Sequence, residues 1–99
     1  MSTQSATLER TRIQLKEPKL YNVIMLNDDF TTMEFVVAIL IDIFHKDEIT
    51  AQAIMLGVHK QGKAIVDKYP YDIAVTKVNA ASARAKAEGY PFRMTLEEA

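Results

Sequence analysis

The chain of 99 residues has no cysteine, only two histidines, and three glycines that stand apart at positions 57, 62 and 89. Without cysteine there are no disulfides and no thiol chemistry, as in proteins kept in a reducing cytoplasm. Isolated glycines make neither a Gly-rich phosphate loop nor a Walker pattern, and no Ser-centred nucleophile elbow is present. No apolar run reaches the length of a membrane span. Residues 1–7 are polar and lack the apolar stretch of a signal peptide. A basic excess is missing too: 12 Lys and Arg face 13 Asp and Glu, for a net charge of −1. That balance argues against broad nucleic-acid binding. What remains is a cytoplasmic domain with no membrane or nucleic-acid partner, ordinary in its 48% hydrophobic and 25% charged residues and large enough for one core.

Residues 1–17 mix polar and charged side chains and read as a flexible N-terminal arm; within it Ile13 and Leu15 alternate with polar neighbours as at the start of a strand, which Pro18 interrupts. The folded domain is expected over 18–99. Leu20 to Leu26 is rich in β-branched and aromatic residues and predicts a strand. A helix over about 32–45 follows from Met33, Val36, Val37, Leu40, Ile41 and Phe44 at three- and four-residue spacing, with His45 as a cation at its end. Asp47 is placed to cap a second helix over 48–61, and Gly62 to stop it. On that helix Met55, Val58 and His59 share a face, while Ala53 and Leu56 point towards a core. A strand is expected over 64–69, then a helix over 71–88 with Ile73, Ala74, Val78, Ala81 and Ala85 buried and Gly89 as its stop. The last strand covers 90–96, where Phe92, Met94 and Leu96 alternate with Arg93 and Thr95. The order βααβαβ predicts an α+β fold, a small three-stranded antiparallel sheet packed against three helices.

The most informative stretch runs from Leu26 to Phe35. Asn27, Asp28, Asp29 and Thr31 have the residue types of a tight strand-to-helix turn, because their side chains bond nearby backbone N–H groups. Thr31 and Glu34 have the spacing of a capping box. A turn needs only one or two such residues, so spare acceptors are left beside the apolar Leu26, Met33 and Val36. Acceptors next to an apolar hollow suit a ligand that is cationic and apolar at once. By residue type, Asp28, Asp29, His59 and His45 could ligate a metal, yet adjacent acids with remote histidines lack ligand spacing. Asp29 and His59 also suit an acid/base pair. A small metal-dependent hydrolase using Asp28, Asp29 and His59 is therefore one reading, and an interaction domain indifferent to peptide termini is another.

Several stretches together resemble the ClpS family, adaptors of the bacterial Clp protease that recognise N-degrons. These are Leu26-Asn27-Asp28-Asp29-Phe30-Thr31 with Met33-Glu34-Phe35-Val36, then Met55-Leu56-Gly57-Val58-His59 with Gln61-Gly62-Lys63-Ala64, then Ala74, Thr76-Lys77-Val78 and Pro91-Phe92. The resemblance spans Pro18 to Leu96. It implies a monomeric binding module without catalytic residues or cofactor. Such a module presents proteins beginning with Leu, Phe, Tyr or Trp to the N-terminal domain of the ClpA unfoldase, for degradation by ClpP. Carried over by position, Asn27, Asp29 and His59 would bond the α-ammonium group with Asp28 nearby. Leu26, Thr31, Met33, Val36, Met55, Val58 and Phe92 would line the side-chain pocket, and Asp72 and Lys77 would touch ClpA. The N-terminal arm corresponds to the segment that engages the unfoldase. Phe92 stands where the family commonly has Leu, so a narrower pocket that disfavours Trp is expected.

Overall fold

The computed structural model describes residues 18–99, so the arm and the strand signal at Ile13 and Leu15 lie outside the described residues. The elements are β1 (Leu20–Leu26), α1 (Met33–Asp42), α2 (Glu48–Gln61), β2 (Lys63–Pro70), α3 (Tyr71–Ala87) and β3 (Met94–Glu98). The expected order and the α+β class hold. The sheet is antiparallel in the order β2-β1-β3, with the first strand in the centre.

Strand β1 earns the centre by composition, since Val23, Ile24 and Met25 are all buried. Val23 and Met25 face the helices, and Met25 pairs with Met94 on one side and Ala64 on the other. Between β1 and β2 the register shifts, because Val23 opposes Asp67 while Ile24 opposes Ile65. Val66 is the extra residue, and the bulge turns its side chain into the core. Ile24 is buried on the opposite face of the sheet and stands apart from the main cluster.

The helices depart from their predicted faces in instructive ways. Helix α1 buries Phe35, Val36, Ile39 and Leu40, while Ile41, part of the predicted apolar repeat, is exposed, as is Met33 at the helix start. Helix α2 buries Ala51, Met55 and Val58, and Leu56 and Ala53 point outward, contrary to expectation. Helix α3 packs through the small Ala74, Ala81 and Ala85, and Ile73 lies outside that stripe. Val78 packs against the core beside these alanines, while Ile73, next to Ala74 in sequence, falls on the outward side of the helix. The last strand begins at Met94 rather than Tyr90. Phe92 and Tyr90 precede it as core-packing loop residues, both edge-on to Phe35 with centroids 5.7 and 4.9 Å away.

Helix α1 stops at Asp42, before His45, whose φ of 56° is left-handed. The cation at its C-terminal end comes instead from α3: the Lys77 Nζ donates to the Ile43 carbonyl at 2.8 Å. The same ammonium lies 5.9 Å from the Phe44 ring centroid and 5.3 Å from that of Tyr69. Lys77 thus supplies what the helix lacks, a positive charge against its negative dipole end. Helix α2 is capped as predicted, with the Thr50 N–H donating to the Asp47 carboxylate at 2.7 Å. At its other end Gly62 adopts φ 87° and donates its N–H to the Val58 carbonyl.

That glycine gives a direct check of the fold. A Cβ at Gly62 would meet nothing within 4 Å, so Gly62→Ala costs only left-handed backbone strain, roughly 1 kcal/mol. Urea unfolding monitored by circular dichroism is expected to show that loss with an unchanged m value. An unaltered midpoint would contradict the assigned conformation.

Candidate functional site

The turn between β1 and α1 is organised by Asp28. Its Oδ1 accepts the backbone N–H groups of Phe30 at 2.8 Å and Thr31 at 2.7 Å, and its Oδ2 accepts the Thr31 hydroxyl at 2.7 Å. Burial pushes the Asp28 carboxyl upward, but the Thr31 hydroxyl and N–H and the Phe30 N–H outweigh it and hold the group below its ordinary value. Both carboxylate oxygens are therefore engaged in building the turn. The Thr31 hydroxyl is spent on this bond, so it does not cap α1. The cap is Thr32, whose Oγ1 accepts the Phe35 N–H at 3.2 Å; the expected Thr31–Glu34 capping box is corrected accordingly.

A second tie fixes the turn against α2. The Asn27 N–H donates to the Gly62 carbonyl at 2.9 Å. This sets Asn27 beside the last turn of α2, where His59 projects. Between the turn, α1 and α2 lies a hollow of about 210 Å³ lined by Asn27, Asp28, Asp29, Thr31, Met33, Val36, Met55, Val58 and His59. Val36, Met55 and Val58 are buried and form its floor, whereas Met33 is 43% exposed at its rim. Among the described residues, the side chains of Asn27, Asp29 and His59 have no hydrogen-bond partner, in contrast to Asp28 and Thr31. The hollow thus joins an apolar floor to a rim with three unengaged acceptors, a carboxylate among them.

Two residues expected in the pocket lie elsewhere. Phe92 packs edge-on against Phe35 and is not among the residues that line the hollow. Leu26, whose side chain alternates to the other side of β1 from Met25, lines a separate depression of about 430 Å³. Phe30, Pro91, Arg93 and residues 27–29 complete that depression. Beyond Met33 and Met55 a shallow groove of about 570 Å³ runs between α1 and α2, past Val37 and Ile41. Asp72 is exposed at the start of α3, and Lys77 is half-buried under α1 as described. Neither is near the hollow.

The metal-ligand reading fails on geometry: among the described residues no group of three His, Cys, Asp or Glu side chains is placed to hold an ion. Sequence reasoning missed the Asn27–Gly62 tie, whereas a cap from Thr32, which stands where the family usually has Pro, is what the sequence allows and the structure has. It also passed over Phe30, whose signal was a large aromatic inside an otherwise polar turn.

A family model described as "ATP-dependent Clp protease adaptor protein ClpS" matches residues 16–95. The ATP-dependent Clp protease adapter protein ClpS of Acetivibrio thermocellus is 44% identical over 97 residues, covering 98% of each chain. The protein of the same name from Ralstonia pickettii is 50% identical over 92 residues, covering 93% of this chain and 85% of its own. Among solved structures, Agrobacterium tumefaciens ClpS2 bound to L-phenylalaninamide superposes with a TM-score of 0.81 at 40% identity, covering 84% of this chain and all of that one.

The depressed Asp28 carboxyl has a consequence for stability. A folded value below the ordinary 3.8 means that the unfolded chain binds the proton more readily. The stabilisation is therefore complete above that ordinary value and disappears as pH falls towards the lower, folded one. Asp28→Asn is expected to be less stable than wild type at pH 7, with the difference shrinking as pH falls below the ordinary 3.8. Urea midpoints across that range check this, and a constant difference at every pH would contradict it.

Proposed function

The chain belongs to the ClpS family, and on that premise we propose that it is a binding module for the free N-terminus of proteins beginning with Leu, Phe, Tyr or Trp. The observation that carries the reading is the hollow with its three unengaged acceptors. An α-ammonium has three donors and no acceptor. The Asn27 amide oxygen, the Asp29 carboxylate and a neutral nitrogen of His59 match it donor for acceptor. The substrate's first side chain fills the floor over Val36, Met55 and Val58. The ligand of the Agrobacterium relative supports this, since L-phenylalaninamide is itself a free α-amine joined to a benzyl side chain and an amide.

Energetics fit such recognition. Charge-assisted hydrogen bonds contribute about 1.5–3 kcal/mol each, and burying a Leu or Phe side chain roughly 1.5–3 kcal/mol. After the costs of association, affinities near the micromolar range follow, about −8 kcal/mol. The unbranched thioethers of Met33 and Met55 adapt to both aliphatic and aromatic shapes. Asp28 serves this site by building the turn. The protein carries no chemistry of its own in this reading. It hands the substrate to a ClpA-type unfoldase, whose N-terminal domain meets the face bearing Asp72 and Lys77, and residues 1–17 engage the unfoldase during delivery. The fold holds no helix, among the described residues, that is long and apolar enough to cross a membrane.

Three outcomes test this. Leu- and Phe-initiated peptides are expected to bind while their N-acetylated forms do not, and Asp29→Asn or His59→Ala each weakens binding by roughly tenfold or more. Calorimetry showing equal affinity for free and acetylated peptides would overturn the reading. Met33, on the rim, crowds side chains branched at Cβ, so Ile and Val peptides bind poorly. Met33→Ala is expected to improve them relative to Leu, and an unchanged ratio would assign that selectivity to another residue. Deleting residues 1–17 should spare peptide affinity yet stop unfoldase-dependent degradation in a reconstituted assay; full degradation would remove the role given to that segment.

A further inference from the structure

We infer that the depression on the far side of the turn is a second subsite, which takes an apolar side chain at the substrate's second residue. This rests on the N-terminal recognition proposed above and extends it by one residue.

The depression and the hollow share residues 27–29 as a common wall. In an extended chain consecutive side chains point to opposite sides. With the ammonium held at that wall and the first side chain in the hollow, the second side chain projects across the turn, away from α1 and α2. There it meets Leu26, Phe30 and Pro91.

Phe30 has no other evident work. It is 76% exposed, and the turn uses only its backbone N–H, donated to Asp28. Any residue but proline supplies that N–H. An aromatic ring held in water on a rigid turn is a ready contact surface for a binding partner. Arg93 flanks the same depression, and among the described residues it takes part in no ion pair. Its guanidinium plane is therefore available to stack on an aromatic second residue. The groove between α1 and α2 is a poorer site for that residue, because it opens behind Met33 and Met55, on the side already claimed by the first side chain.

The test compares free-amine peptides Leu-Ala-, Leu-Leu- and Leu-Phe- with identical following residues, and their acetylated forms, on wild type, Phe30→Ala, Arg93→Ala and Ile41→Ala. On wild type the Leu-Phe peptide is expected to bind roughly fivefold tighter than Leu-Ala. That ratio should fall to within about twofold in Phe30→Ala, decrease in Arg93→Ala, and persist in Ile41→Ala. If free-amine peptides bind wild type regardless of their second residue, the subsite is refuted while N-terminal recognition stands. If none of them binds, the recognition reading itself fails. If Ile41→Ala rather than Phe30→Ala collapses the ratio, the second side chain lies in the groove and the inference is wrong.

Discussion

The site depends on a turn that cannot relax. Six residues lead from the central strand to α1, and the Asp28 carboxylate clamps them through two backbone N–H groups and one hydroxyl. A second bond, from the Asn27 N–H to the Gly62 carbonyl, locks the same turn to the end of α2. Because Asp28 satisfies the local backbone, the acceptors on either side of it are released from structural duty. Asn27 and Asp29 can face outward only because the acid between them faces inward. This arrangement holds polar groups in place around the hollow before anything enters it.

The rest of the fold holds the two helices that flank this turn. Helix α1 contributes Met33 and Val36, and its far end is fixed by Lys77 reaching from α3 to the Ile43 carbonyl. Helix α2 contributes Met55, Val58 and His59. The loop before it is tied to β2 by the Lys46–Asp67 ion pair at 2.6 Å. Lys46 is largely covered, so this bridge is less screened than the exposed pairs at Lys19–Glu98 and Arg84–Asp42. Both helices are thereby set against the sheet from the end opposite the hollow, which leaves the hollow's mouth unencumbered.

Much of this was legible in the residues. The strand 20–26, the Asp47 cap and the Gly62 stop follow from local chemistry that tertiary contacts do not override. So does the suspicion that a run of acids and amides beside Met33 and Val36 holds more acceptors than a turn uses. What could not be read were choices made by packing. Thr31 and Thr32 are equivalent by sequence, and only the competing demand of Asp28 decides which one caps α1. Phe92 alternates like a pocket residue, yet the edge-on ring of Phe35 draws it into the core. Leu56 and Ile73 are as apolar as their neighbours, yet each falls on the outward side of its helix. Lys77 looks like a solvated residue until α1 proves to end without a basic residue of its own.

The central claim is that the rim of the hollow recognises a cationic amine and its floor recognises the side chain, each through separate residues. A double comparison addresses it most directly. L-phenylalaninamide and 3-phenylpropanamide, identical except for the amine, are titrated into wild type and into a variant carrying both Asp29→Asn and His59→Ala. The account predicts that wild type strongly prefers the amine-bearing ligand and that the variant loses most of this preference while binding the amine-free ligand about as weakly as wild type does. Equal binding of the two ligands by wild type, or a preference undiminished in the variant, would contradict it.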